Sequence, residues 1–344
     1  MRQFAICLSL LVFAGACSNQ VAKEQKFTIV KGKSDGYKYE IAYDSSADLK
    51  KAINAVLTKY SQVLNTDSQH SVIAHFNGNS PLDINSNKHY QSSSTLLTKI
   101  DSLCKSLHQK TNGAFNSSMH GLLQLWGFTA NSTFPETVSE TQVKALLPKQ
   151  YGGLVQFTNG IPNTSNGLQS ISYQVIYKGI VVDAIAEMFD SVYHLKNYYI
   201  NFGGEIRAKG NNGNDSYWPI SIEKPMFNTL KSIEFCKIPL KNYSLATENS
   251  YKNFFFYKGK RFSQNIDPQT GYPARNELLS ATVLARSATE AKAFAAACMV
   301  IGLEKSIQLI QQYPDLKAFL IFEKDNQIQY WASSNLSIEL SKQE

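Results

Sequence analysis

The sequence of 344 residues predicts an α+β fold, a single large domain of mixed, largely antiparallel sheets with packed helices. Residues 27–43 alternate between apolar and polar side chains, which is typical of paired strands. Residues 47–64 instead carry apolar side chains at helical spacing. Residues 306–313 predict a helix, and residues 318–324 and 327–333 predict strands. Length alone would allow two domains, but this mixed order favours one α+β domain.

The other elements are predicted from helical periodicity and from residues that begin and end helices. They are helices over 95–111, 139–147 and 182–196, strands over 198–202 and 205–210, and an alanine-rich helix that ends near Gly302. Asn112-Gly113 is expected to end the first of these helices. The third is expected to be amphipathic. Ser287 and Glu290 have the spacing of a capping box, which predicts where the alanine-rich helix begins.

The N-terminal residues predict export and lipid anchoring. Arg2 precedes an apolar run over residues 4–14, and small residues lead directly to Cys17, as at a lipoprotein cleavage site. An ordinary signal peptide with an incidental cysteine is the alternative. The expected divisions are a lipoprotein signal peptide over 1–16, the lipidated cysteine and its tether over 17–26, and the folded domain over 27–344. The protein is then expected to be anchored to a membrane on the periplasmic or other extracytoplasmic face.

Composition excludes several classes of protein. The chain is 43% hydrophobic and 12% aromatic, which is ordinary for a globular protein. Its net charge of +7 is spread along the chain, which indicates solubility and predicts no nucleic-acid partner. Beyond Cys17 the cysteines are Cys104, Cys236 and Cys298, so at most one disulfide can form among these three. No CxxC spacing of a zinc site is present.

Four stretches of sequence stand out, and each also has a purely structural explanation. They cover residues 113–128, 178–190, 201–210 and 262–273. The first could be a core helix with an aromatic end, and the second a surface helix whose Lys178 is simply solvated. The third could be a strand bend, where glycine permits close backbone approach. The fourth, with its Asp-Pro and Thr-Gly pairs, could be a turn.

Taken together, in this order and spacing, the four stretches resemble the FAD:protein FMN transferase family, the ApbE-type lipoproteins. Further similar blocks are residues 36–41, 63–77, 218–225 and 281–302, so that the resemblance runs from about residue 30 to the C-terminus. It implies the fold of these flavin transferases. It also implies an enzyme that binds FAD and moves its FMN half onto a threonine or serine hydroxyl of an exported flavoprotein acceptor. AMP leaves, and Mg²⁺ is required.

The resemblance also implies site residues, although several differ from the family pattern. The flavin-binding positions are Ala114, Phe115, Asn116, Ser172, Lys178 and Asn265. The catalytic positions are Gln264 and Lys292, and the metal positions are Val175, Lys292 and Ala296. Asn116 and Ser172 each replace an acid, Gln264 replaces a histidine, Lys292 an aspartate and Ala296 a threonine. Mg²⁺ is therefore expected from the family, while its ligands are replaced in this sequence.

The change from aspartate to lysine at position 292 alters the local charge by about two units, enough to repel a divalent cation in a poorly solvated site. We hypothesise that the Lys292 ammonium takes the place of the metal and faces the FAD pyrophosphate. The alternative is a slip of one register that makes Glu290 the ligand. The flanking A-T-E-A-x-A-F-A-x-A pattern argues against such a slip.

Three functions remain open from the sequence. The first is a working FMN transferase that uses substitute ligands. The second is a non-catalytic FAD-binding lipoprotein, in which flavin binding survives and turnover fails. The third is a lipid-anchored binding protein that has lost flavin altogether. The transferase reaction is placed first, and AMP release distinguishes the first function from the second, because only a working transferase liberates AMP from FAD.

Overall fold

The structure is a computed structural model. It describes residues 26–68, 70–78, 88–129, 132–147, 156–158, 161–163, 170–214, 216–226, 232–252, 254–257 and 259–341. The predicted signal peptide and Cys17 lie outside the described residues. None of the helices in these ranges is long and apolar enough to cross a membrane.

An eight-stranded sheet forms the centre of the fold. Its strands, in spatial order, are β1 (Thr28–Ser34), β2 (Tyr37–Tyr43), β5 (Tyr198–Phe202), β6 (Glu205–Lys209), β9 (Tyr243–Asn249), β12 (Leu278–Ala285), β13 (Lys317–Lys324) and β14 (Gln327–Ala332). Every neighbouring pair in this sheet is antiparallel. All eight residues of β12 are buried, which agrees with its place inside the sheet. The predicted hairpin over residues 27–43 and the predicted strands over 198–202 and 205–210 are confirmed.

Within the described ranges, three smaller sheets accompany the central one. One has three strands, β15 (Glu339–Leu340), β8 (Glu234–Leu240) and β7 (Trp218–Glu223), and covers part of the central sheet with a separate apolar cluster. The other two are hairpins, β10 (Phe254–Tyr257) with β11 (Lys260–Ser263), and β3 (Gln156–Thr158) with β4 (Ile161–Asn163). Helices pack onto these largely antiparallel sheets, and the predicted α+β class is confirmed.

The helices agree with the sequence analysis at most positions. They are α1 (Lys50–Leu64), α2 (Val72–Asn77), α3 (Lys88–Lys110), α4 (His120–Leu125), α5 (Glu140–Leu146), α6 (Gln174–Ser191), α7 (Ala288–Ile301) and α8 (Leu303–Gln311). The bounds predicted for α6 are wrong at both ends. The helix begins at Gln174 instead of residue 182 and ends at Ser191 instead of residue 196. Its first turns are buried on most sides, and the helix contacts α1, α7 and two strands. Over residues 182–191 the buried side chains instead form one face, as predicted: Val182, Ile185, Ala186 and Phe189.

The beginning of α7 is held against α6 by two features. A Cβ atom at Gly179 would lie 2.8 Å from the Ala288 carbonyl oxygen, so only glycine permits this approach of the two helices. The Asp183 carboxylate accepts the backbone N–H groups of Ala288 and Thr289 at 2.8 and 2.9 Å. An acid here also complements the positive end of the α7 dipole. The first turns of α7 are thus fixed in position.

Half of the predicted capping box is present at this helix. Ser287 Oγ accepts the Glu290 N–H at 3.2 Å, but the Glu290 carboxylate bonds to Lys110 Nζ at 2.7 Å. The Glu290 carboxylate therefore pairs with a residue of α3 instead of accepting the backbone N–H of Ser287, as a full capping box requires. Cys104, Cys236 and Cys298 are buried, and no disulfide joins these three residues in the described chain.

Candidate functional site

Residues from distant parts of the chain line one cavity, which we call cavity A and which has a volume of about 210 Å³. Nine of the ten site residues implied by the resemblance lie on its wall. They are Ala114, Phe115, Asn116, Val175, Lys178, Gln264, Asn265, Lys292 and Ala296. They come from the segment after α3, the first turns of α6, the loop after β11, and α7. The structure therefore brings these positions together, and their individual roles stay predictions.

Ser172 is the one implied position that does not line cavity A. Its side chain is buried, and its backbone N–H donates to the Ser117 carbonyl at 2.7 Å. Its Oγ accepts the Gln174 N–H at 3.2 Å. Ser172 thus lies at the beginning of α6, where it ties this helix to the segment that carries Asn116.

Four ionised side chains form a buried group beside cavity A, which we call the ion cluster: Lys178, Glu205, Glu248 and Lys292. Lys292 Nζ lies 2.6 Å from Glu248 Oε2 and 3.1 Å from Glu205 Oε1. Lys178 Nζ lies 2.7 Å from Glu205 Oε2. Two lysines and two glutamates leave the cluster with no net formal charge. The explanation of Lys178 as a solvated residue of a surface helix is wrong, because Lys178 is 17% exposed and ion-paired.

Polar neighbours bond three members of the ion cluster, Lys292, Lys178 and Glu248. Lys292 Nζ donates to the Thr247 carbonyl at 3.0 Å, and Lys178 Nζ donates to the Gly203 carbonyl at 2.8 Å. Gln264 Nε2 donates to Glu248 Oε1 at 2.9 Å. The Gln264 amide therefore binds a carboxylate of the cluster, at a position where the resemblance implies histidine.

Burial and pairing act in opposite directions on the ionisation of this cluster. Burial alone would lower the pKa of Lys292, but the carboxylates of Glu248 and Glu205 raise it above its usual value. Burial raises the pKa of Glu248, yet the Lys292 ammonium, the Gln264 amide and the Lys178 ammonium together hold this pKa below its usual value. Both residues are therefore charged at neutral pH. The hypothesis that Lys292 faces a pyrophosphate stays a prediction, and two carboxylates now compensate its charge.

The ion cluster also borders a second cavity, cavity B, of about 500 Å³. Lys178, Glu248, Gln264 and Lys292 line both cavities. Cavity B continues between the turn of β5 and β6 and the strand β7. The ion cluster therefore lies between cavity A and cavity B.

Another part of the wall of cavity A, which we call its apolar wall, is hydrocarbon. Met119, Leu123 and Phe128 line it, and they pack in the same core cluster as Trp126. The Trp126 ring stacks on Phe262 at 5.9 Å between ring centroids, and its Nε1–H donates to the Gly271 carbonyl at 2.8 Å. Cavity A therefore presents both charged groups and a hydrocarbon surface, a combination that suits a ligand with a charged part and an aromatic part.

Sequence reasoning missed several residues that shape the site. Glu205 and Glu248 complete the ion cluster; Glu205 lies in the stretch 201–210 already singled out, directly after Gly203-Gly204, whereas Glu248 lies outside the stretches singled out above. Gln174 lines cavity A, and its Oε1 has no hydrogen-bond partner among the residues that the structure describes. Only the pairing of strands brings the two glutamates together, so their spacing in sequence held no signal for it.

The residues at the implied metal positions do not fit Mg²⁺. Val175, Lys292 and Ala296 offer no side-chain oxygen, whereas Mg²⁺ prefers oxygen ligands. In the described ranges no group of three or more His, Cys, Asp and Glu side chains could hold a metal ion. Glu290, the ligand in the alternative register, pairs with Lys110 instead.

Curated proteins of one name are similar to this chain over nearly its whole length. A curated FAD:protein FMN transferase of Haemophilus influenzae is 28% identical over 341 residues, covering 93% of this chain and 92% of that protein. The Escherichia coli K12 protein of the same name is 26% identical over 348 residues, covering 96% and 94%. These relatives match nearly the whole chain.

Solved structures of flavin transferases share the fold. The structure of the flavin transferase ApbE from Vibrio cholerae superposes with a TM-score of 0.73 at 26% identity, covering 90% of this chain and 97% of that chain. The apo flavinyl transferase ApbE of Pseudomonas stutzeri superposes with a TM-score of 0.75 at 22% identity, covering 90% and 95%, which supports the fold alone. The sequence model of the ApbE family matches residues 35–320, well over half of the chain. This protein therefore belongs to the ApbE family.

Proposed function

We propose that this protein is a FAD:protein FMN transferase that binds FAD in cavity A and moves its FMN half to a threonine or serine hydroxyl of an exported flavoprotein. The observation that carries this proposal is that three of the four motif stretches, 113–128, 178–190 and 262–273, and the further similar block 281–302 all supply the wall of one cavity. The names of the curated relatives support the same activity. FAD has an anionic pyrophosphate and an aromatic ring system, which match the charged wall and the apolar wall.

The chemistry is a phosphoryl-type transfer in which the acceptor oxygen bonds to the phosphorus of the FMN half and AMP leaves with the bridging oxygen. Lys178 is the cation expected to bind the phosphate oxygens, and the Gln174 amide is a polar group still available for a ligand. Among the described residues that line cavity A, Glu248 is the only carboxylate. Glu248 is therefore the group that accepts the proton of the acceptor hydroxyl.

The test incubates the purified protein with FAD, Mg²⁺ and an exported flavoprotein subunit that has an acceptor threonine. AMP is measured by chromatography, and covalent FMN by the mass of the acceptor. An acceptor with threonine replaced by alanine is the control substrate. AMP together with labelled acceptor supports the proposal, whereas FAD that stays intact through the incubation overturns it.

Two lysine variants test the place of binding. Lys178→Met is expected to weaken FAD binding by about tenfold or more, because a charge-assisted contact is lost. Lys110→Met is the matched control, since Lys110 pairs with Glu290 away from cavity A. Equal FAD affinities of the two variants would contradict binding beside Lys178.

A second candidate is a non-catalytic FAD-binding protein. One observation favours it: Gln264 and Lys292, at the two implied catalytic positions, are both bonded to Glu248. Such a protein would retain intact FAD and release no AMP. The same incubation therefore distinguishes the two candidates.

We also propose that the protein is exported and anchored to a membrane through a lipid on Cys17, on the extracytoplasmic face. The small residues before this cysteine support the proposal. Cells fed a radiolabelled fatty acid should label the wild-type protein and not the Cys17→Ser variant. Equal labelling of both would contradict anchoring at this residue.

A further inference from the structure

Three oxygen atoms from two strands surround the Lys292 ammonium. They are Glu248 Oε2 at 2.6 Å, the Thr247 carbonyl oxygen at 3.0 Å and Glu205 Oε1 at 3.1 Å. We call these three atoms the oxygen cage. The two carboxylates are almost fully buried, with the Glu205 and Glu248 side chains 1% and 5% exposed. Their charges thus need a cation inside the protein.

The position of the cage is set by the sheet, and that of the ammonium by α7. Thr247 and Glu248 lie on β9, and Glu205 begins β6, the neighbouring strand. Lys292 is the fifth residue of α7, whose first turn Asp183 holds in place. The three cage oxygens therefore belong to residues of two paired β-strands. We expect the strands to keep these residues in place when Lys292 is replaced.

Two carboxylate oxygens and a backbone carbonyl are a donor set that a hard divalent cation uses, with water completing its coordination. In this protein, the Lys292 ammonium lies among these three oxygen atoms instead. We propose that Lys292 is the resident cation of this cage, that it excludes divalent cations from the wild-type protein, and that its removal turns the cage into a divalent-cation site.

A consequence for the flavin site rests on the proposed function. Because the Lys292 ammonium, which belongs to the chain, occupies the cation position of the cage, FAD binding should not require a free metal ion. The FAD dissociation constant of the wild-type protein is then the same in EDTA and in Mg²⁺. A metal that bridges carboxylate and phosphate would instead tighten binding when it is supplied.

The main experiment uses Mn²⁺ as the probe, with no flavin present. Lys292→Ala is expected to bind Mn²⁺ in electron paramagnetic resonance titrations, and its Tm should rise with the logarithm of the Mn²⁺ concentration. The wild-type protein should show neither effect at this site. The double variant Lys292→Ala/Glu248→Gln is the matched control, because it lacks one cage carboxylate and should lose the Mn²⁺ site.

A second variant covers the case in which Lys292→Ala does not fold without metal, because Glu248 loses its cation and only Lys178 remains beside Glu205. Lys292→Asn shortens the side chain and keeps a polar group, and it is refolded with and without Mn²⁺. Recovery of folded protein only with Mn²⁺ supports the proposal. A folded Lys292→Ala or Lys292→Asn protein that binds no Mn²⁺ overturns it. Wild-type Mn²⁺ binding that Glu248→Gln abolishes also overturns it, whereas failure of FAD to bind contradicts only the proposed function.

Discussion

The two walls of cavity A are built on different physical principles. On one wall, Met119, Leu123 and Phe128 rest on the stacked rings of the core cluster around Trp126. On the other, the ion cluster places four charges among directed bonds of 2.6 to 3.1 Å. Dispersion forces are weak for each atom pair and do not depend on one partner. A buried ion depends on every partner that it has.

The difference implies that the apolar wall tolerates changes of shape and the charged wall does not tolerate loss of a single member. The predictions below test this contrast, from the largest expected effect to the smallest.

Lys292→Met should lower the free energy of unfolding by about 3–5 kcal/mol, because it leaves the carboxylates of Glu205 and Glu248 without their shared cation. Urea denaturation measures the change. Lys110→Met is the matched control, since Lys110 makes a half-exposed ion pair with Glu290, also on α7, and should cost at most about 1 kcal/mol. Equal costs would mean that burial does not distinguish the two pairs.

The contribution of this pair should also depend on pH. The pKa of Glu248 is lowered from 4.5, so its contribution is present above about pH 4.5 and is lost as the pH falls through the lowered value. The pKa of Lys292 is raised from 10.5, so its contribution is complete below about pH 10.5 and is lost as the pH rises further. The difference in unfolding free energy between wild type and Lys292→Met/Glu248→Gln should therefore form a plateau between these values. If this difference in unfolding free energy changed steadily with pH around neutrality, the predicted plateau would be contradicted.

Asp183→Asn should cost about 1–2 kcal/mol, because an amide group replaces an oxygen that accepts hydrogen bonds at the beginning of α7. It should also weaken FAD binding, since α7 carries Lys292 into the ion cluster. Ser139→Ala removes the cap of α5 and should cost about 1 kcal/mol without changing FAD affinity. Thermal unfolding and FAD titration measure both effects. A loss of affinity in both variants would show a general effect of destabilisation.

Met119→Leu should cost less than about 1.5 kcal/mol, because it nearly conserves volume on the apolar wall. FAD affinity should change little. The measurement is urea denaturation together with fluorescence titration of the flavin. A cost comparable with that of Lys292→Met would remove the contrast between the two walls.

Local patterns were sufficient for most elements of the fold. The hairpin over residues 27–43 and the helix α1 were predicted, because alternation and helical spacing depend only on near neighbours. The prediction for α6 failed for the same reason. The first turns of this helix, before residue 182, are buried on most sides and show no single apolar face, so the point at which the helix begins depends on contacts far away in sequence.

At the site too, some features follow from local sequence and others only from contacts between distant residues. The sequence by itself determined which residue types are present: a lysine at position 292, a glutamine at position 264, and motif stretches that indicate a flavin transferase family. Only the tertiary structure decided the partners of Lys292. Antiparallel pairing of β5, β6 and β9 places Glu205 and Glu248 beside it, although 43 residues separate those two glutamates. The physical reason is that a buried charge is governed by distances in space, which strand pairing and helix packing set and which local sequence does not contain.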